Sequence, residues 1–202
     1  MPESFTQVPP NSTGNKMRTR SRVIGSNTVH EQAIFQDALP TYYALADAVG
    51  FAANKHMISL YNASGSGKLV VLKKLCLVNL QLTAVTGVAV RQNFSRFSAV
   101  HSAGTLITPT SNDSLNPAIP AGITVRTGAT LTAGSLLFPL TFANDEVSAT
   151  QAFPSVPLQW LPEGNEVQEV RLREGEGVTV QNITSTVIGS FAYMFVFTLD
   201  DL

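Results

Sequence analysis

The chain has 202 residues, with 13% charged, 44% hydrophobic and a net charge of −1. This length is one domain's worth and can bury about 70% of its unfolded surface. The charged share is about half the usual quarter. A balance so near zero argues against a dedicated nucleic-acid binder, and a weakly charged polar surface suits large contacts between subunits. The single cysteine, Cys76, cannot form an internal disulfide, so a reducing compartment fits. Residues 1–20 lack the apolar stretch of a signal peptide, and no run of about 18 apolar residues marks a membrane span.

Residues 1–33, with tandem prolines and little apolar periodicity, read as an extended N-terminal arm outside any core. Lys16, Arg18, Arg20 and Arg22 alternate, so an extended chain carries all four on one side. Two readings stand: a solvated tail, or an arm that lies across an acidic surface of a partner protein. Four charges are a small footprint for nucleic acid. Residues 34–55 lie between these classes. The helical stripe Leu39, Tyr43, Ala46, Gly50 is poor, and an extended segment leading into the domain is the better reading.

From residue 56 the pattern is β, and residues 34–202 read as one β-sandwich domain. Strands are expected at 56–62, 68–82, 87–97, 123–127, 130–142 and 158–161, with long irregular loops at 101–122 and 143–157. In the second of these strands, Cys76, Val78, Leu80 and Leu82 share one face. Three more strands close the chain at about 166–173, 177–184 and 187–199, the first pair joined by "REGEG". In the last strand Phe191, Tyr193, Phe195 and Phe197 share a face, and Ala192, Met194 and Val196 make the other face apolar too. A strand apolar on both sides is covered on both sides. Ala192, Met194 and Val196 are therefore candidate subunit-interface residues. At least seven strands without a convincing long helix predict an all-β antiparallel sandwich.

The stretch "NASGSGK" (62–68) has the look of a phosphate-binding loop, yet Asn62 stands where the first glycine belongs and Leu69 replaces the hydroxyl residue. A β-branched strand follows where a helix should begin, so no helix N-terminus faces a phosphate. The stretch reads as a glycine turn between strands, with Asn62 and Gly65 or Gly67 supplying positive φ. His30, His56 and His101 have no partners at metal-ligand spacing and read as polar surface or core-edge residues. The carboxylates Asp145/Glu146, Asp200/Asp201 and Glu163, Glu166, Glu169 do not form a paired acid and base, since neighbours on a strand point to opposite faces. No enzyme activity, cofactor or metal is expected.

"HMISLYNASGSGKLVVLKKLCL", "SAGTLITPTSNDSLNPAIPA" and "LREGEGVTVQN" before a final aromatic strand resemble structural proteins of tailed-bacteriophage virions over roughly residues 50–199. The resemblance implies a jelly-roll capsid cement or decoration protein, made in the host cytoplasm and carried on the outer surface of the head. Its implied partner is the major capsid protein of the same particle, bound by a homo-oligomer, a trimer first, with no membrane. The competing reading is a fibre or tail component with a receptor- or glycan-binding sandwich, for which Phe153 and Trp160 are the aromatic candidates.

Overall fold

A computed structural model describes residues 3–7, 16–24, 27–32, 39–79, 88–144, 158–160, 168–184 and 189–201. Every regular element among them is a β-strand, and the chain divides into two units, 1–38 and 39–202. In the first unit β1 (Glu3–Gln7), β2 (Lys16–Ile24) and β3 (Asn27–Gln32) pair antiparallel in that order. The described parts of the arm are extended and pair with one another. Lys16, Arg18, Arg20 and Arg22 occupy alternate positions of β2, and the register places Arg20 opposite both Glu3 and Glu31.

The second unit is a sandwich of two antiparallel sheets. Its strands are β4 (Thr41–Gly50), β5 (His56–Asn62), β6 (Lys68–Asn79), β7 (Val88–Phe97), β8 (Thr105–Ile107), β9 (Thr110–Ser111), β10 (Ile123–Thr127), β11 (Leu136–Asn144), β12 (Leu158–Trp160), β13 (Val170–Leu172), β14 (Glu176–Asn182) and β15 (Ser190–Asp201). One sheet, S1, runs β12-β6-β15-β4-β9, with β13 beside β12 along β6; the other, S2, runs β11-β7-β14-β5-β10-β8. Stripped of β8, β9 and β10, the chain visits the sheets as a jelly roll does, its last strand inserted between the first and third. The insertion between β7 and β11 adds β8 and β10 to S2 and β9 to S1. Pro139, which has no N–H to donate, lies in the edge strand β11.

The core lies between the sheets. S1 contributes Tyr42, Leu72, Leu75, Leu77, Phe195 and Phe197, and S2 contributes Ile58, Leu60, Phe94, Val125, Val178 and Val180. Cys76 and Val78 share a face of β6, as their alternation predicts, but it is not the core face. Leu75 and Leu77 face inward, while Cys76 and Val78 stand on the opposite side. The cause is the sequence "LKKL". Leu72 and Leu75 are both fully buried, which simple alternation forbids. A β-bulge opposite Val196/Phe197 absorbs one lysine and shifts the phase of everything after it. The described part of β6 ends at Asn79, so Leu80 and Leu82 lie outside the described residues.

Candidate functional site

The glycine turn is the first candidate. β5 pairs with β14 so that Asn62 lies opposite Glu176, which brings "NASGSGK" beside the Arg173–Glu176 turn. Gly65 and Gly67 have φ of 82° and 66°, a region where a side chain is strained. Asn62 does not share that role: it ends β5 fully buried. Its side-chain Nδ2 donates to Lys68 O at 2.7 Å and Leu172 O at 3.0 Å, tying both turns together. The turn does present backbone N–H groups to an anion, but the anion is the protein's own. Gly67 N–H donates to Glu174 Oε1 at 2.7 Å, and hydrogen bonds from Gly65 and then Gly67 hold the Glu174 carboxyl below its usual range. Lys68, which would reach a phosphate in a nucleotide site, pairs with Asp201.

The second candidate is a polar and aromatic cluster on the outer face of S2. Ser59 Oγ and His101 Nδ1 are hydrogen bonded at 2.8 Å, and His101 Nε2 meets Thr124 Oγ1 at 2.8 Å. His56 Nδ1 bonds Thr179 Oγ1 at 3.1 Å, and Thr179 is the register partner of Ser59. Phe97 stacks on both Tyr61 and His101, and Tyr61 is tilted against His101, with centroids 5.6–5.9 Å apart. The Phe97 ring lies against Gly177, where an added Cβ would come within 2.3 Å of Phe97 Cζ.

A serine bonded to an imidazole is the beginning of a nucleophile–base pair. Here Ser59 is wholly buried and His101 nearly so, and the second imidazole nitrogen meets a threonine hydroxyl in place of a carboxylate. Burial, and then the positive charge of Arg126, push the His101 pKa down to about 4; burial lowers that of His56 as well. These groups stay neutral at pH 7 and close the outer face of S2. The two histidines are more deeply buried than a surface or core-edge reading expects. No sequence spacing signals the cluster, because its members come from β5, β7, β10, β14 and the loop after β7.

Between β4, β8, β10 and the 112–121 loop lies a recess of about 490 Å³, lined by Leu106, Pro109, Pro117, Ile119 and Pro120 among others, none of them charged. The Tyr42 hydroxyl, which could have met a ligand, donates to Pro117 O at 2.6 Å. Residues 101–122 carry no aromatic side chain of phenyl or indole type, and their one carboxylate, Asp113, accepts from Leu115 N–H. Phe153 lies outside the described residues, and Trp160 is placed in β12 opposite Leu75.

Of the sequence carboxylates, Asp201 pairs with Lys68 and Glu169 with Lys73, Asp200 accepts from Asp201 N–H, and Asp145, Glu146, Glu163 and Glu166 lie outside the described residues. No group of three or more metal-ligating side chains occurs among the described residues.

The third candidate is the outer face of S1. Ala192 is buried, while Met194 and Val196 are half-buried on the side of β15 away from the core. The register sets Met194 between Leu45 and Cys76, Val196 between Tyr43 and Lys74, and Ala192 beside Val78. Sequence reasoning found one strand of this face; the pairing adds Tyr43 and Leu45 on one side and Cys76 and Val78 on the other, with Lys74 the charged neighbour of Val196. No family model, curated protein or solved structure matches the chain.

Proposed function

We propose that the chain is a non-enzymatic virion structural protein, a capsid decoration protein that binds the outside of a bacteriophage head as a homo-oligomer. The observation that carries this reading is the second apolar face of S1. A jelly-roll sheet that is apolar on both sides is built to be covered by protein on both sides. The neutralised turn at 62–68, the buried Ser59–His101 pair and the low charge support the same reading, since each uses chemistry-bearing groups for packing. The partner in this reading is the major capsid protein of the same particle, and the alternating Lys16, Arg18, Arg20 and Arg22 are the arm residues proposed to meet acidic groups on it.

The test is copy number. Particles are purified from the source that encodes the chain, and its abundance is measured against the shell subunit by quantitative mass spectrometry. Copies on the order of the shell subunit's own number are expected for a decoration protein. A few to tens of copies would move the chain to a tail or fibre, and its absence from particles would overturn the virion reading.

A further inference from the structure

We infer that the outer face of S1 is a self-complementary surface whose occupant is the same face of a second copy, related by a twofold axis that passes over Met194. The inference deepens the homo-oligomer part of the reading above, and it stands on the sheet alone. It replaces the threefold cluster that the phage resemblance implies.

The centre of the face is apolar: Tyr43 and Leu45 on β4, Ala192, Met194 and Val196 on β15, Cys76 and Val78 on β6. Leu45 is 50% exposed, an unusual cost for a leucine in the middle of a sheet. β4, β15 and β6 form a strip about 15 Å wide and up to about 40 Å long, roughly 550–600 Å² in outline before their flanking strands are added; Cys76, Ala192, Val71 and Thr198 within it are already buried, and Tyr43, Leu45, Val78, Met194 and Val196 are its accessible part. A standard interface takes about 800 Å² from each partner, so the strip and its flanks are of the right size for one.

Two charges choose the occupant. The β-bulge between Phe191 and Tyr193 sets Asp47 and Ala48 opposite Ala192, so Asp47 stands at one corner of the apolar strip, exposed on the side of Leu45. Lys74, directly opposite Val196, stands at the diagonal corner on β6. Neither has an ion-pair partner among the described residues, although Lys68, Lys73 and Arg96 do. The two corners are two strands and four residues apart, about 10 Å by 13 Å, and Met194 is midway on both counts. A twofold axis lying between two such faces and crossing Met194 exchanges the corners. Asp47 of each copy then meets Lys74 of the other, twice per dimer, around a methionine pair that adapts to its own image. The strands of the two copies cross steeply, near the orthogonal class of sheet packing.

The experiment uses the full chain and measures mass by light scattering after gel filtration over a dilution series. Wild type is expected to be a dimer, or an even multiple of one. Asp47→Lys and Lys74→Asp, both at the edge of the face and away from the core, should each raise the dissociation constant by about tenfold or more. The doubly exchanged D47K/K74D protein should regain most of the affinity. Met194→Asp should give a folded monomer. A wild-type monomer, a trimer, or charge variants without rescue would overturn the proposal. A monomer whose melting point falls in Met194→Asp would show that the chain itself covers the face, and a monomer that loses only shell attachment would assign the face to the capsid. A dimer that is absent from particles would keep this surface and remove the virion reading.

Discussion

The Gln92 side chain donates from Nε2 to the Tyr193 hydroxyl at 2.6 Å, across the core between β7 of one sheet and β15 of the other. Both residues are fully buried, and Gln92 Oε1 has no hydrogen-bond partner among the described residues. Burial raises the Tyr193 pKa, so the phenol keeps its proton at all working pH values. A buried polar pair contributes little net stability when intact and leaves an expensive orphan when half is removed. Tyr193→Phe is therefore expected to cost about 1–3 kcal/mol, because it strands the whole Gln92 amide. Gln92→Leu in the same background should recover most of the loss. Denaturant titration of the two single variants and the double variant checks this; additive losses would mean that the two side chains act independently.

The paired turns give a second prediction. Asn62→Ala removes two side-chain bonds and leaves the Lys68 and Leu172 carbonyls short of a donor. A loss of about 1–3 kcal/mol is expected. Lys68→Ala breaks only a surface ion pair with Asp201 and should cost about 0–1 kcal/mol. ATP titrated to millimolar concentration should show no saturable heat in calorimetry. Saturable binding lost in Lys68→Ala would restore the nucleotide reading that Glu174 displaces.

How much of this was legible differs from strand to strand. The limits of β5 and β10 match the sequence reading to the residue, because alternation runs between clear turn residues. The core face of β6 was not legible. Cys76 and Val78 are as apolar as Leu75 and Leu77, and only the bulge at Lys73 and Lys74 decides which pair turns inward. Glu174 gave no hint that it caps Gly67, since the contact spans 107 positions and exists only once β14 pairs with β5. The Ser59–His101–Thr124 chain is hidden for the same reason.

That chain sets an acid limit. His101 has a folded pKa of about 4 against about 6.5 when unfolded, and His56 is shifted in the same direction. Between those values the unfolded chain binds more protons, so stability is full above pH 6.5 and falls as pH falls towards 4. The His101 contribution is at most about 3 kcal/mol. Its hydroxyl partners can accept from a charged imidazole, so the loss comes from burial and from Arg126. Urea midpoints from pH 7.5 to 4 should decline, and His101→Gln should flatten the decline. An unchanged slope in that variant would place the acid sensitivity elsewhere.

The last prediction separates the two units. The second unit has a core of its own, whose described residues run from Tyr42 to Leu199. Deleting 1–38 should leave the sandwich folded, with a melting point within about 2–4 °C of the full chain, the shift that 1 kcal/mol produces at this size. What the deletion should remove is attachment. Lys16, Arg18, Arg20 and Arg22 fall on alternate positions of β2, and only Arg20 has acidic residues opposite it in the register, Glu3 and Glu31. If the other three meet carboxylates of the shell, binding to particles should weaken as salt rises, because exposed pairs are screened over about 8–10 Å at physiological ionic strength. Replacing Lys16, Arg18 and Arg22 together by Gln should weaken attachment at low salt and flatten its salt dependence, with no change in melting. A truncated chain that melts far lower would assign the first unit a structural role. One that attaches as well as the full chain would leave attachment to the sandwich, where the exposed Leu106 on β8 and Leu115 in the 112–121 loop are the next residues to change.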